Sequence, residues 1–203
     1  EKKHELNIGA ESGFIDNRIN IEADWYTRNN FDLIGLIYTK GTGGQLAKFA
    51  NVASMKSSGV EFTVSTRNIK TKDFSWNTDF IFSHTKNEVT DLQSNASVMD
   101  MISGNGFAME GYPVRALFSM DFQGLNENGY PTFINEKGQL TVSDINFQEQ
   151  LKKDHLVYEG PTDPTMTGSL GNIFRYKGFT LNAFITYSFG NVIRLDPVFH
   201  NVY

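Results

Sequence analysis

Hydrophobic and polar residues alternate with a period of two along the most regular stretches of this chain. The apolar side of residues 18–28 consists of Ile19, Ile21, Ala23 and Trp25. Residues 74–85 and 179–189 repeat the alternation, with Ile81 and Phe184 as apolar exceptions on the polar side. A period of two is the period of a β-strand that has one apolar face. The pattern therefore predicts an all-β chain.

A shorter alternating segment and a turn precede each of these three strands. The turn segments are residues 12–17, residues 68–73 and Lys177-Gly178. Glycine adopts positive φ at little cost, so Lys177-Gly178 is typical of a two-residue hairpin. The sequence predicts six antiparallel strands in three hairpins, at about residues 3–28, 59–85 and 168–189.

Two long connections separate the hairpins, at about residues 29–58 and 86–167. A structureless connection as long as the second is rare in a compact domain. We therefore expect an extended strand over residues 112–124 and a short helix over residues 144–156, with Asp144 as its N-cap. Short turns at one end and long loops at the other are typical of an outer-membrane β-barrel, whose long loops are extracellular. A soluble β-sandwich usually mixes loop lengths and stays the alternative.

Aromatic residues lie near both ends of the predicted strands. Those near the tight turns are Phe74, Trp76, Phe174, Tyr176 and Phe179, and those at the other end are Trp25, Tyr187 and Phe189. Amphipathic rings favour the headgroup level of a membrane, so these eight residues are predicted to form two aromatic girdles. The opposite side of the strands carries Glu22, Asp24, Glu61, Asp79 and Arg175. Such charges are suited to a water-filled lumen.

Composition and charge narrow the classes of function. The net charge of −5 comes without the basic stripe of a nucleic-acid-binding protein. The absence of cysteine excludes thiolate metal sites and a cysteine nucleophile from this chain. The histidines are widely spaced, and the loop carboxylates are more typical of solvated charges than of paired acids. The sequence therefore predicts no metal site, no cofactor and no catalytic residue, and hence no enzyme.

Four aromatic residues of the second connection are candidates for contact with a substrate or with a partner protein. They are Tyr112, Phe118, Tyr130 and Phe133. Aromatic residues in long loops more often pack one loop segment against another, and both roles stay open at this point.

A series of short motifs runs in order along the chain. It includes Asn7-Ile8-Gly9-Ala10-Glu11, Asp24-Trp25-Tyr26, Gly59-Val60-Glu61, Phe74-Ser75-Trp76-Asn77, Asn87-Glu88-Val89-Thr90-Asp91-Leu92, Glu110-Gly111-Tyr112-Pro113-Val114 and Tyr158-Glu159-Gly160-Pro161. In order and spacing these motifs resemble the SusC/RagA family of TonB-dependent outer-membrane transporters of Bacteroidetes-type bacteria.

The resemblance implies a transmembrane β-barrel of about 22 strands with an N-terminal plug. This chain would supply about six strands from the later half of one receptor barrel domain, and the plug would lie outside it. The implied location is the outer membrane of a Gram-negative cell, in contact with membrane lipid.

The implied function is TonB-dependent import of a nutrient, either a glycan oligosaccharide or a peptide. The implied partners are a SusD-like surface lipoprotein on the long loops and the TonB–ExbB–ExbD complex, which would act on parts outside this chain. A siderophore or cobalamin transporter without such a lipoprotein is the alternative. A soluble β-sandwich binding module is a third hypothesis.

Overall fold

The structure is a computed structural model that describes residues 1–38, 44, 47–93, 96–104 and 106–195. The strands are β1 (Lys2–Phe14), β2 (Ile19–Tyr38), β3 (Ala47–Lys70), β4 (Phe74–Leu92), β5 (Ala116–Met120), β6 (Phe122–Leu125), β7 (Pro131–Ile134), β8 (Leu140–Thr141), β9 (Leu156–Pro161), β10 (Met166–Tyr176) and β11 (Phe179–Phe189). A short helix, α1, covers Val98–Ile102. The predicted all-β class is confirmed. No helix within the described ranges is long and apolar enough to cross a membrane.

Six long strands form one antiparallel sheet in the order β1-β2-β3-β4-β10-β11. Of its five pairings, three are hairpins with tight turns, and a fourth joins β2 to β3. The fifth pairs β4 with β10, two strands that are far apart in sequence. Two small sheets lie between β4 and β10: β5 pairs with β9, and β6, β7 and β8 form a three-stranded sheet. We call residues 93–165 the loop region.

The six-stranded sheet has two different ends. The turn end holds the tight connections at residues 15–18, 71–73 and 177–178. The loop end holds the connection from β2 to β3 and the loop region. In the last hairpin the left-handed conformation falls on Lys177, at φ 44°, rather than on the glycine that follows it.

The strands at the loop end extend further than predicted. Residues 29–58 were expected to form a loop, but β2 reaches Tyr38 and β3 begins at Ala47. The strict alternation is lost there because the register shifts between Asn30 and Leu33, where Asp32 adopts a φ of 55°. A β-bulge of this kind changes which side chains share a face and so hides the strand from a period-two search.

The loop region differs from its prediction in two places. The strand expected over residues 112–124 is two separate strands, β5 and β6, which belong to different sheets. The helix expected over residues 144–156 is absent, and up to the start of β9 these residues form irregular backbone with short turns at 147–148 and 154–155. Glu149 instead accepts hydrogen bonds from the backbone of Gln150, Leu151 and Lys152, and such local bonds compete with helix formation.

The main buried core of the described residues lies in the loop region and not on the sheet. It consists of Ala96, Met101, Ala116 and Phe118, with Phe107, Met109, Tyr112 and Leu156 packed against them. Helix α1 is held there because the N–H groups of Val98 and Met99 donate to the carbonyl oxygens of Glu149 and Phe147. Every side chain of β1 is exposed, so the sheet needs covering by something other than the described residues.

Candidate functional site

The six-stranded sheet presents one continuous apolar face. The pairing register aligns its side chains in rows that cross all six strands. One row is Ser12, Ile21, Val64, Phe80, Leu170 and Ile185, and the adjacent row is Ala10, Ala23, Phe62, Phe82, Gly168 and Tyr187. Large side chains of this face are exposed, such as Leu181 at 63% and Ile185 at 64% exposure. A soluble protein rarely leaves so large an apolar surface uncovered.

The height of this face matches a membrane. Strand β11 has 11 residues and runs from Phe179 to Phe189. At about 3.4 Å per residue and a tilt of about 45°, such a strand rises about 25 Å. That rise is the height of the apolar band on an outer-membrane barrel.

Aromatic residues border the apolar face at both ends. At the turn end, Phe74 pairs with Tyr176, which pairs with Phe179. The rings of Trp76 and Phe174 stack there at 5.6 Å. At the loop end, Tyr187 and Phe189 stack at 5.7 Å, and the register places Trp25 in the same row as Phe189. The eight predicted girdle residues thus lie in two groups, one at each end of the face.

A chain of polar side chains crosses the apolar face near the turn end. Asn172 accepts hydrogen bonds from the Trp76 indole at 2.9 Å and from the Thr78 hydroxyl at 2.7 Å. Asn68 donates to Thr78 at 2.6 Å and accepts from Thr66 at 2.9 Å. Because these groups hydrogen-bond to one another, the cost of placing them on an apolar surface is partly offset.

The opposite face of the sheet is acidic. Glu11 lies directly opposite Glu22, and Asp24 lies directly opposite Glu61. Like charges that face each other across a sheet are unfavourable unless water screens them. This arrangement indicates that the opposite face is in contact with water.

Two of the four candidate aromatics pack inside the loop region. Phe118 is 2% exposed, and its ring lies 5.1 Å from that of Tyr112. Tyr158, which sequence analysis did not select, completes the cluster at 4.9 Å from Tyr112. Burial raises the pKa of Tyr158, with a smaller contribution from Tyr112. The ring of Phe118 therefore forms part of a core that holds the loop region together.

The other two candidates belong to the sheet of β6, β7 and β8. Tyr130 is 60% exposed at the tip of the β6–β7 turn. Phe133 is half-buried and lies 5.9 Å from Phe122, which is itself 56% exposed. With Leu125, at 67% exposure, these residues make an apolar surface on the small sheet. The structure thus places the four candidates in two separate pairs.

Charged groups hold the same region in place. Hydrogen bonds from the backbone and hydroxyl of Ser97 lower the pKa of Asp100. Backbone N–H groups of Leu151 and Lys152 lower the pKa of Glu149. Burial lowers the pKa of Lys153. Among the described residues, no three His, Asp or Glu side chains are arranged to hold a metal ion.

Comparison with known proteins gives relatives along almost the whole chain. The chain is 25% identical over 207 residues to TonB-dependent receptor P3 of Formosa agariphila, covering 95% of this chain and 21% of that protein. It is 26% identical over 211 residues to TonB-dependent receptor SusC of Bacteroides thetaiotaomicron, covering 97% of this chain and 20% of that protein. No protein-family model matches.

Comparison with solved structures shows where the same fold occurs. A chain in the structure of the RagAB peptide transporter superposes with a TM-score of 0.72 at 22% identity, over 93% of this chain and 21% of that chain. The RagAB importer in its open-open state gives a TM-score of 0.72 at 21% identity, over 93% and 20% of the two chains. The chain is thus similar to SusC-type and RagA-type TonB-dependent receptors along almost its whole length.

The chain spans about a fifth of the length of the curated relatives it matches. Its all-β fold is that of a segment of the RagAB transporter chain on which it superposes. The loop region is inserted between β4 and β10, and those two strands pair directly with each other.

Proposed function

We propose that the receptor containing this chain imports a nutrient across the outer membrane in a TonB-dependent manner. The observation that carries the proposal is the contrast between the two faces of one sheet. The exposed apolar face is about as tall as a membrane and is bordered by aromatic residues, whereas the other face pairs carboxylates with carboxylates. A wall between lipid and a watery lumen needs this contrast. The relatives' names as TonB-dependent receptors support the same function.

In this proposal the chain is part of one receptor barrel domain, with the hairpins as spanning strands and the loop region outside the cell. The eight aromatic residues described above then act as two girdles at the membrane interfaces. The plug and the segment that contacts the TonB–ExbB–ExbD complex belong to other parts of the receptor.

We further propose that a SusD-like lipoprotein and a cargo of glycan or peptide meet the receptor at the loop region. The name of the RagAB peptide transporter supports a peptide among the cargo classes. Of the predicted contact residues, Tyr130 and Phe133 lie on the small sheet, next to the exposed Phe122 and Leu125. Tyr112 and Phe118 contribute by shaping the loop region from within.

The experiment compares two sets of substitutions in the full-length receptor, expressed in its own host. The test variant replaces Phe122, Leu125 and Tyr130 with serine. The control replaces Ile15, which is 65% exposed at the turn end, with serine. We expect the test variant to lose lipoprotein co-purification and nutrient uptake while the control keeps both. Normal co-purification and uptake by the test variant would rule out the role given to this surface.

A further inference from the structure

Basic residues are concentrated at the turn end of the sheet. Residues 15–18, 67–74 and 175–180 contain six lysines and arginines against two aspartates, a net charge of +4 (six minus two). The whole chain has a net charge of −5. The cations are Arg18, Arg67, Lys70, Lys72, Arg175 and Lys177. The turn end is therefore electropositive on an otherwise acidic chain.

Two neighbouring turns of this end line an open cavity of about 390 Å³, which we call the turn-end cavity. Its charged lining is Lys70, Lys72, Asp73, Arg175 and Lys177, and its aromatic lining is Phe74, Tyr176 and Phe179. The N–H of Lys177 donates to the carbonyl oxygen of Asp73 at 2.9 Å, so the two turns are tied together. The four cations outweigh the single carboxylate of the lining.

The cations of the turn-end cavity have no anionic partner within the described part of the chain. None of the ion pairs found there involves them. The ammonium of Lys177 lies 5.4 Å from the centre of the Tyr176 ring. Tyr176 and Phe179 are paired on the apolar face, and Phe179 is 81% exposed. The Lys177 ammonium is thus held at the edge of the apolar face, which we place in lipid.

We propose that the turn-end cavity binds the phosphodiester headgroup of an anionic phospholipid from the adjacent membrane leaflet. The inference rests on the proposed function, because it requires the apolar face to lie in a membrane. Lys72 and Lys177 would contact the phosphate oxygens, and Phe179 would contact the start of an acyl chain. A lipid accounts for the combination of unpaired cations and exposed aromatic surface, whereas a soluble anion needs only the cations. A zwitterionic headgroup fits less well, because its own cation would approach the lysines.

The test measures lipid preference of the full-length receptor in detergent, by native mass spectrometry with phosphatidylglycerol or phosphatidylcholine added. The test variant is Lys72→Gln with Lys177→Gln. The control is Lys56→Gln with Lys86→Gln, which removes two positive charges from β3 and β4 toward the loop end of the same sheet. We expect the receptor and the control to prefer phosphatidylglycerol by about tenfold or more, and the test variant to lose that preference.

Three results would overturn the inference. They are equal binding of both lipids by the unaltered receptor, an unchanged preference in the test variant, and full displacement of the lipid by glycerol phosphate, which has no acyl chain. Insertion into vesicles is measured in parallel by the shift in gel mobility on heating. A receptor that inserts without lipid preference refutes only this inference, whereas a receptor that never inserts refutes the membrane assignment as well.

Discussion

The ring of Tyr187 lies against Gly168, and its hydroxyl donates a hydrogen bond of 2.9 Å to the carbonyl oxygen of Ile81. Gly168 pairs with Tyr187 on one side and with Phe82 on the other. A Cβ atom at position 168 would clash with the Tyr187 hydroxyl oxygen and with the Ile81 carbonyl oxygen. A side chain of β11 therefore reaches across β10 to bind β4, and only glycine leaves it room.

We expect Gly168→Ala to destabilise the receptor by about 1–3 kcal/mol, because the new methyl group meets backbone as well as the tyrosine. Tyr187→Phe should cost about 1 kcal/mol, since it removes one hydrogen bond and keeps the ring. The control is Gly178→Ala, because a Cβ at that position meets nothing within 4 Å. Unfolding of the full-length receptor in denaturant gives the three values. Equal stability of the two alanine variants would contradict the packing described for Gly168.

Asn172→Leu should destabilise the sheet by about 1–3 kcal/mol, because it leaves the Trp76 indole and the Thr78 hydroxyl without their acceptor. Combining it with Trp76→Phe and Thr78→Val should restore part of that loss, because the triple variant has fewer unpaired polar groups. The same denaturant unfolding measures both variants. If the triple variant loses more free energy of unfolding than its three single variants lose in sum, the polar chain is not a mutually satisfied unit.

Helix α1 should depend on pH through Asp100. The Asp100 carboxylate accepts from the Ser97 hydroxyl at 2.7 Å and from the Ser97 N–H at 2.9 Å, and these bonds lower its pKa below its ordinary 3.8. A lowered pKa in the folded state stabilises the helix at neutral pH. That contribution is lost as the pH falls below 3.8 and through the folded pKa.

The measurement is hydrogen exchange of the amides of residues 98–103 at pH 7 and pH 3, corrected for intrinsic rates. Protection should fall at pH 3 in the unaltered receptor. Asp100→Asn should show little difference between the two pH values, and Ser97→Ala should lower protection by about 1 kcal/mol at pH 7. A pH-independent helix in the unaltered receptor would contradict the role of Asp100.

Phe118→Ala should unfold the loop region locally, because the loss of a buried phenylalanine costs about 3–5 kcal/mol. Tyr130→Ala should leave stability nearly unchanged, since that ring is 60% exposed. Limited proteolysis of the full-length receptor distinguishes the two: faster cleavage within residues 93–165 is expected for the first variant alone. Equal cleavage of both variants would mean that Phe118 does not hold the loop core.

Strands were predictable from the sequence wherever the sheet has one apolar and one polar face, because hydrophobic and polar residues then alternate along the strand. The strand prediction failed between Asn30 and Leu33, because a bulge changes the register there and polar residues occupy both faces of the strand. The pairing of β4 with β10 follows from no local pattern, because the two strands are separated by the whole loop region.

The loop region was harder to predict than the sheet. Side-chain hydrogen bonds of Glu149 and Ser97 decide where turns and the helix form, and such bonds leave no periodic signal. The candidate aromatics were chosen by residue type and by their place in the second connection. Neither criterion separates a buried ring such as Phe118 from an exposed one such as Tyr130. The sequence could have identified Phe122 and Leu125 as further contact candidates, because both are isolated apolar residues beside a turn-rich stretch.

We have proposed that one face of this sheet contacts lipid and the other contacts water, and this assignment is open to a direct test. Phe184 and Ile185 test it best, because they are adjacent on β11, apolar, and exposed to 67% and 64%, yet they point to opposite faces. The chain has no cysteine of its own, so single cysteines for spin labels are introduced at positions 181 to 188 one at a time, in a receptor whose cysteines elsewhere are replaced by serine.

The decisive measurement is the accessibility of these labels to oxygen and to a water-soluble nickel chelate, in the full-length receptor in lipid vesicles. If the lipid assignment is right, we expect oxygen maxima at odd positions, including 185, and nickel maxima at even positions, including 184. Labels that show no alternation, or oxygen maxima at 184 and its even neighbours, would contradict it.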